Sequence, residues 1–212
     1  MPLSEPRLEL HNGATMPQAS QSKSILTKLS AFKTGIGWFG VLHDGPTLCG
    51  LKFGFSTRSE LVGKFTESLD RSGQSDWASP KFKTSFDGFS NEQYFWHDLL
   101  IDYGAGKQVS FADIKINDTG RTEFRARVLK KCRKLPYGST MSYGELAIKS
   151  GYPNAARAVG TTMKSNRFPI IIPCHRVVAS TGIGGFSASD GPSTKRRLLA
   201  MEGYFEKCEV GS

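Results

Sequence analysis

Cys174, His175 and Arg176 follow one another directly after Pro173, and nowhere else does the chain set a thiol beside an imidazole. A thiol flanked by an imidazole and a guanidinium sits in an electropositive spot, which favours thiolate, the nucleophilic form of cysteine. For a Cys-His pair taken alone, a buried thiol beside a core histidine is the commoner arrangement, so the surroundings decide. They read Pro169-Ile-Ile-Ile-Pro-Cys-His-Arg-Val-Val178. Ile170 to Ile172 is expected to form a short buried strand between prolines. Pro173, with a fixed φ and no amide donor, then turns the chain and sets Cys174 at the strand end.

Charge marks the half of the chain that must position this thiol. Net charge is +9, yet residues 1–120 are nearly neutral (12 Lys/Arg, 13 Asp/Glu), whereas residues 121–202 hold 15 Lys/Arg against 4 Asp/Glu. A basic field concentrated around one cysteine points to a polyanionic partner. The 212 residues suit one or two domains, and 38% hydrophobic content suffices for a real core. Cys49, Cys132, Cys174 and Cys208 form no CxxC pair or framework spacing. They read as reduced thiols in an intracellular protein, cytoplasmic or, in a eukaryote, nuclear. No apolar run nears the roughly 18 residues that span a bilayer, and the N-terminus lacks a signal-type apolar stretch, so no membrane association is expected.

Residues 1–30, rich in Ser, Pro and Gln, read as a mobile arm. Residues 31–117 are expected to form a small α/β domain. Ile36 to Leu42 and Thr47 to Phe53 read as a hairpin around His43-Asp-Gly-Pro46. Ser56 is placed to cap a helix carrying Leu61, Val62, Phe65 and Leu69, and Ser90 to cap a short helix with Tyr94, Phe95 and Leu99. Residues 71–89 read as polar loop, and Val109 to Ile116 alternates as a strand. His43 and His97 have no partner at ligand spacing and read as packing or surface residues; no metal site is expected.

Residues 121–212 are expected to form a mostly helical second domain. A helix from Thr122 to Lys134 buries Phe124, Val128 and Cys132 and leaves Arg125, Arg127, Lys130, Lys131, Arg133 and Lys134 as a basic face. Ser142-Tyr-Gly-Glu145 is a capping box that opens a short helix with Leu146, Ala147 and Ile148. Ser150-Gly-Tyr-Pro153 turns the chain into a second helix, Asn154 to about Ser165, with Pro153 suited to its first position. The pair reads as a helix-turn-helix. Ala155, Ala158, Val159 and Met163 are expected to face inward, while Arg157, Gly160, Thr161 and Lys164 share an outer face small enough to approach a groove.

Taken together these residues resemble the C-terminal half of the O6-alkylguanine-DNA alkyltransferase family. The likeness rests on Pro173-Cys-His-Arg-Val177, Tyr143-Gly-Glu-Leu-Ala147, Ala155-Ala-Arg-Ala-Val-Gly160 with Asn166, and Arg196-Arg-Leu-Leu-Ala-Met-Glu-Gly203. It is strong from about Phe124 to Gly203 and weaker over residues 34–116.

The resemblance implies a protein that flips O6-alkylguanine, and also O4-alkylthymine, out of duplex DNA and takes the alkyl group irreversibly onto Cys174. It implies that His175 acts as base through a water, that Glu202 orients the imidazole, that Asn166 orders the turn, and that Tyr143 donates a proton to the leaving base. Arg157 would fill the vacated stack, with Ala156, Gly160, Thr161 and Lys164 against the minor groove. Met163 and Phe186 would wall the base pocket, and the Val177 carbonyl, the Ser187 hydroxyl and the Cys174 amide would hold the guanine edge. Phe186 stands where some members have Tyr, and Ser187-Ala-Ser-Asp-Gly-Pro192 lacks the Gly-Gly of others. An alkylated cysteine is a thioether with no activated leaving group, so one turnover per chain is expected, by a monomer with no metal or organic cofactor. Two rivals remain: a non-catalytic module that only senses alkylated bases, and a Cys-His hydrolase of esters or amides. The hydrolase reading leaves the helix-turn-helix and the basic half unexplained.

Overall fold

The computed structural model describes residues 27–70, 93–119 and 121–205. Three strands, β1 (Lys28–Thr34), β2 (Gly37–Asp44) and β3 (Thr47–Phe55), form an antiparallel meander in the order β1-β2-β3. Alternation along β2 divides its side chains between two cores. Phe39 and Val41 join a large cluster with Leu48, Leu51 and Phe53, whereas Leu42 joins Leu29, Cys49, Phe55, Leu61 and Phe65 on the opposite face. Helix α1 (Arg58–Asp70) covers that second face. Its approach is close: a Cβ on Gly40 would lie 2.5 Å from the Phe65 ring and 2.9 Å from Leu61.

Helix α2 (Phe95–Gly104) packs on the other face and inserts Trp96, Leu100 and Tyr103 into the large cluster. That cluster runs without a break into the C-terminal half through Val128, Leu129, Cys132, Leu146, Val159, Phe168 and Ile170 to Ile172. The halves therefore share one core. A backbone bond also joins them: Leu51 N donates to Arg167 O at 2.9 Å.

The second half is built from α3 (Glu123–Cys132), β4 (Met141–Ser142), α4 (Tyr143–Lys149), α5 (Ala156–Lys164), β5 (Val177–Val178) and α6 (Pro192–Met201). The Ser142–Glu145 capping box is formed in both directions and starts α4, and β4 pairs with β5 in parallel. Helices α4 and α5 pack as the expected helix-turn-helix. An α/β half followed by a mostly helical half matches the expected fold class.

Several local expectations are corrected. Lys28 to Ser30 belong to β1 rather than to an arm ending at residue 30, because Leu29 and Ser30 are buried in the sheet; residues 1–26 lie outside the described residues. Thr57, not Ser56, caps α1, its hydroxyl accepting from Glu60 N at 3.1 Å. Ser90 and residues 71–89 lie outside the described residues, and α2 begins at Phe95 with Tyr94 as its cap. Val109 to Ile116 is not a strand: Ile114 N turns back to Phe111 O, and the Arg133 guanidinium takes the carbonyls of Phe111, Ala112 and Ile114. Helix α5 begins at Ala156 because Asn154 adopts φ 71°, which excludes Pro153 from the first helical position. Ala158 faces outward and Thr162 takes the inner site. His43 and His97 are packing residues: His43 is buried against Trp96, and His97 lies 4.2 Å from the Phe32 ring.

Candidate active site

The Ile run ahead of the cysteine is buried but is a turn, not a strand. Ile170 has φ 74°, Ile171 N donates to Pro169 O, and Ile172 N donates to Phe168 O at 2.8 Å. Asn166 pins this turn from both sides. Its Nδ2 donates to Ile172 O at 2.8 Å, and its Oδ1 accepts from Phe168 N at 3.0 Å. The chain then enters a single 3-10 turn, Cys174–Arg176, packed against α6.

Cys174 lies on the wall of a cavity of about 340 Å³ lined also by Tyr143, Gly160, Met163, Lys164, Gly185, Phe186 and Ser187. A cavity of that size is within the range of small-ligand sites. The sulfur-bearing residue is only 6% exposed, so whatever meets it must enter the cavity. A second cavity of about 300 Å³ also touches Cys174 and extends to Lys52 and Lys64 on the sheet side.

Behind the cysteine is a dense polar cluster. Glu202, the residue that ends α6, accepts at Oε1 from His175 Nε2, Arg176 Nη2 and the Tyr103 hydroxyl, each at 2.8 Å. Its Oε2 accepts from Arg176 Nε at 2.8 Å and Gly138 N at 3.1 Å. The remaining Arg176 nitrogen donates to Leu135 O at 2.6 Å. Burial opposes the charge on Glu202, yet the bonds from His175 and Arg176 outweigh it and hold the carboxyl well below the usual range. Glu202 is therefore the acceptor and His175 Nε2 carries the proton. Burial pushes the imidazole down from its ordinary value, against the pull of Glu202, so His175 is neutral at pH 7. Its Nδ1 is buried with no hydrogen-bond partner among the described residues.

The electropositive surroundings read from the sequence do not leave a resting thiolate. Burial pushes the Cys174 thiol up, and the Asn166 side chain and Lys195 ammonium pull against that without cancelling it. Arg176 cannot serve the sulfur, because its charge is spent on Glu202. Lys195 can. It is fully buried, donates from Nζ to Val177 O at 2.6 Å and Gly185 O at 3.2 Å, and lies 5.6 Å from the centre of the Tyr143 ring. Burial lowers its pKa to about 8.

The structure brings Cys174, His175, Glu202, Asn166, Tyr143, Met163 and Phe186 to one place. Burial, and then Cys174, push the Tyr143 phenol up, which keeps it a proton donor. Three groups expected at a guanine edge are already engaged: Val177 O by Lys195, the Ser187 hydroxyl with Lys164 O at 2.9 Å, and Cys174 N with Ile172 O at 2.8 Å. Val177 itself is fully buried and does not line the cavity. On α5, Arg157, Thr161 and Lys164 are exposed, Ala156 is half-buried, and nothing lies within 4 Å of a Cβ added at Gly160. The basic face of α3 is partly structural: Arg125 donates to Ser165 Oγ and Arg133 braces residues 111–114. Tyr103, Lys195 and the pairing role of Arg176 were missed from sequence. Among the described residues no three His, Cys, Asp or Glu side chains cluster as a metal site, and no helix is long and apolar enough to cross a membrane.

Comparison with known proteins matches residues 123–204 to the 6-O-methylguanine DNA methyltransferase DNA-binding domain family. A methylated-DNA–protein-cysteine methyltransferase of Methanopyrus kandleri is 43% identical over 112 residues, covering 50% of this chain and 80% of that protein. The protein of the same name from Mycobacterium tuberculosis is 43% identical over 106 residues, covering 50% of this chain and 62% of the relative. A crystal structure of Mycobacterium tuberculosis OGT in complex with DNA superposes with a TM-score of 0.61 at 29% identity, covering 83% of this chain and 93% of that one. An O6-methylguanine-DNA methyltransferase from Pyrococcus kodakaraensis gives 0.62 at 26% identity, covering 84% and 99%.

Proposed function

We propose that this chain, which belongs to the methylated-DNA–protein-cysteine methyltransferase family, repairs DNA by transferring the alkyl group of O6-alkylguanine, and of O4-alkylthymine, irreversibly to its own Cys174. The observation that carries this reading is a buried cysteine on the wall of a base-sized cavity, backed by a hydrogen-bonded imidazole–carboxylate pair. The structural likeness to a relative crystallised in complex with DNA supports duplex DNA as the partner.

The lesion cannot reach a buried sulfur while stacked in a duplex, so it is flipped into the cavity. The basic, small-residue face of α5 lies against the minor groove, with Ala156, Gly160 and Thr161 allowing close approach, Lys164 on phosphate and Arg157 filling the vacated stack. His175 Nδ1 accepts the thiol proton through a bridging water, while the Nε2–H bond to Glu202 stabilises the imidazolium that results. Lys195 lowers the cost of the sulfur anion as it forms. The sulfur attacks the alkyl carbon in line; the S–C bond forms, the C–O6 bond breaks, and its electron pair leaves on guanine. Tyr143 donates its phenolic proton to the purine ring, and the phenolate and imidazolium left behind are neutralised by proton exchange with solvent once the base departs. Met163 and Phe186 hold the ring faces, and Asn166 holds the turn that aims the sulfur. Ser187, on the cavity wall, reaches the guanine edge by re-pairing from Lys164. No step calls for a metal or organic cofactor, and nothing in the sequence regenerates the thiol, so each monomer acts once. The described residues from Lys28 to Asn117 form the α/β unit and those from Arg121 to Phe205 the DNA-binding and transfer unit.

Peptide mass mapping after exposure to a duplex carrying O6-methylguanine tests the reading. One methyl on the Cys174 peptide, absent in Cys174→Ser, is expected. Tight binding of the lesion without any mass shift favours the sensor reading instead.

A further inference from the structure

We infer that Tyr103, carried by α2 in the N-terminal half, is a positioning residue for the transfer relay: its hydroxyl donates to Glu202 Oε1 and sets how strongly that carboxylate draws the proton onto His175. The inference rests on the proposed role of His175 as base, and it reaches a residue 99 positions from Glu202 that no motif contains.

The geometry is specific. The Tyr103 hydroxyl lies 2.8 Å from Glu202 Oε1 and 3.4 Å from His175 Nε2, and Tyr103 and His175 are fully buried, with Glu202 only 3% exposed. No bulk solvent competes at that oxygen, so each donor counts. A phenylalanine would fill the same volume without burying a hydroxyl; the hydroxyl is accounted for only by its acceptor. Burial, and then the Glu202 charge, push the phenol well up, which keeps it a donor throughout the working pH range.

The neighbours define what else could act there. Arg176 binds both carboxylate oxygens, and the Gly138 amide binds Oε2. Lys195 on α6 lowers the proton affinity of His175 through space. Tyr137 is the other phenol near the carboxylate, but its hydroxyl donates to Gly106 O at 3.2 Å and Met201 O at 3.1 Å. Oε1 thus divides its charge among Tyr103, His175 and Arg176. With the Tyr103 donor gone, more of that charge falls on His175, and the imidazole holds its proton to higher pH. Neutral imidazole is the working form, so the acid limb of the transfer rate moves up. The matched family stretch, residues 123–204, does not include this donor.

The experiment uses the full chain and single-turnover methyl transfer from an O6-methylguanine duplex across about pH 5 to 9. Tyr103→Phe is expected to move the acid-limb midpoint upward by about half to one unit, with the plateau rate near wild type. Tyr137→Phe is expected to leave the midpoint in place. 3-Fluorotyrosine at position 103 keeps the ring and strengthens the donor, so it is expected to move the midpoint downward, and it serves if Tyr103→Phe does not fold. Opposite shifts support the inference, because a packing role produces neither sign. Unmoved midpoints in a wild type that does transfer methyl to Cys174 overturn it alone. A wild type that transfers nothing overturns the reading beneath it.

Discussion

Replacing Glu202 by Gln removes one charge from the centre of the buried cluster. The carboxylate accepts five hydrogen bonds, two of them from Arg176, which is itself only 6% exposed. Glutamine keeps the volume, but its amide nitrogen faces donors whichever way it turns, and the guanidinium is left buried without a counter-charge. Breaking one side of a buried pair costs about 3–5 kcal/mol. Neutralising Glu123, whose bond to Arg127 joins two well-exposed side chains, should cost about 0.5 kcal/mol or less. Urea unfolding followed by circular dichroism reads both, with an unchanged slope marking a true stability loss. The pH dependence has a definite sign. The Glu202 carboxyl is held low when folded and is ordinary when unfolded, so its contribution is complete above about pH 5 and drains away as pH falls below about 4.3. The wild type should therefore lose stability steeply on acidification, and Glu202→Gln should show a flatter curve. A loss under about 1 kcal/mol at pH 7, or acid curves of equal slope, refutes the picture of a charge-centred core.

Cys174→Ser should abolish transfer while retaining lesion binding, read by mass spectrometry and by duplex titration. Arg157→Ala should slow transfer from duplex DNA by at least about tenfold yet leave transfer from free O6-benzylguanine near wild type, because only the duplex substrate needs a filled stack. Lys164→Ala should weaken binding alike for all sequences and lower the slope of log affinity against log salt by about one. Gly40→Ala should cost about 1–3 kcal/mol in urea melts, since its methyl meets the Phe65 ring, without altering the transfer rate of the folded fraction.

Legibility followed the range of the interactions. The Ser142–Glu145 box could be read because both partners lie in one turn, and the Phe124, Val128, Cys132 stripe because a helix repeats it locally. Ile170 to Ile172 could not be told from a strand, since three apolar residues have no period and the left-handed Ile170 is set by Asn166 and Phe168 around it. Strand β1 was masked by Lys28, Ser30, Lys33 and Thr34, polar residues that hid its pairing with β2. Lys195 reads as one cation in a basic run, and only the fold turns it inward onto Val177 O. Arg176 was read as acting on its sequence neighbour Cys174, whereas its partner, Glu202, is 26 residues on. Tyr103 left no local signal, because its acceptor arrives from the far end of the chain.

The central claim is that one sulfur, Cys174 Sγ, is consumed by a single alkyl transfer. Excess duplex carrying isotopically labelled O6-methylguanine, incubated to completion, counts those transfers. The account predicts a plateau at one label per chain, all of it on Cys174. Continued turnover beyond one label, or label on Cys132 or Cys49 with Cys174 unmodified, contradicts it.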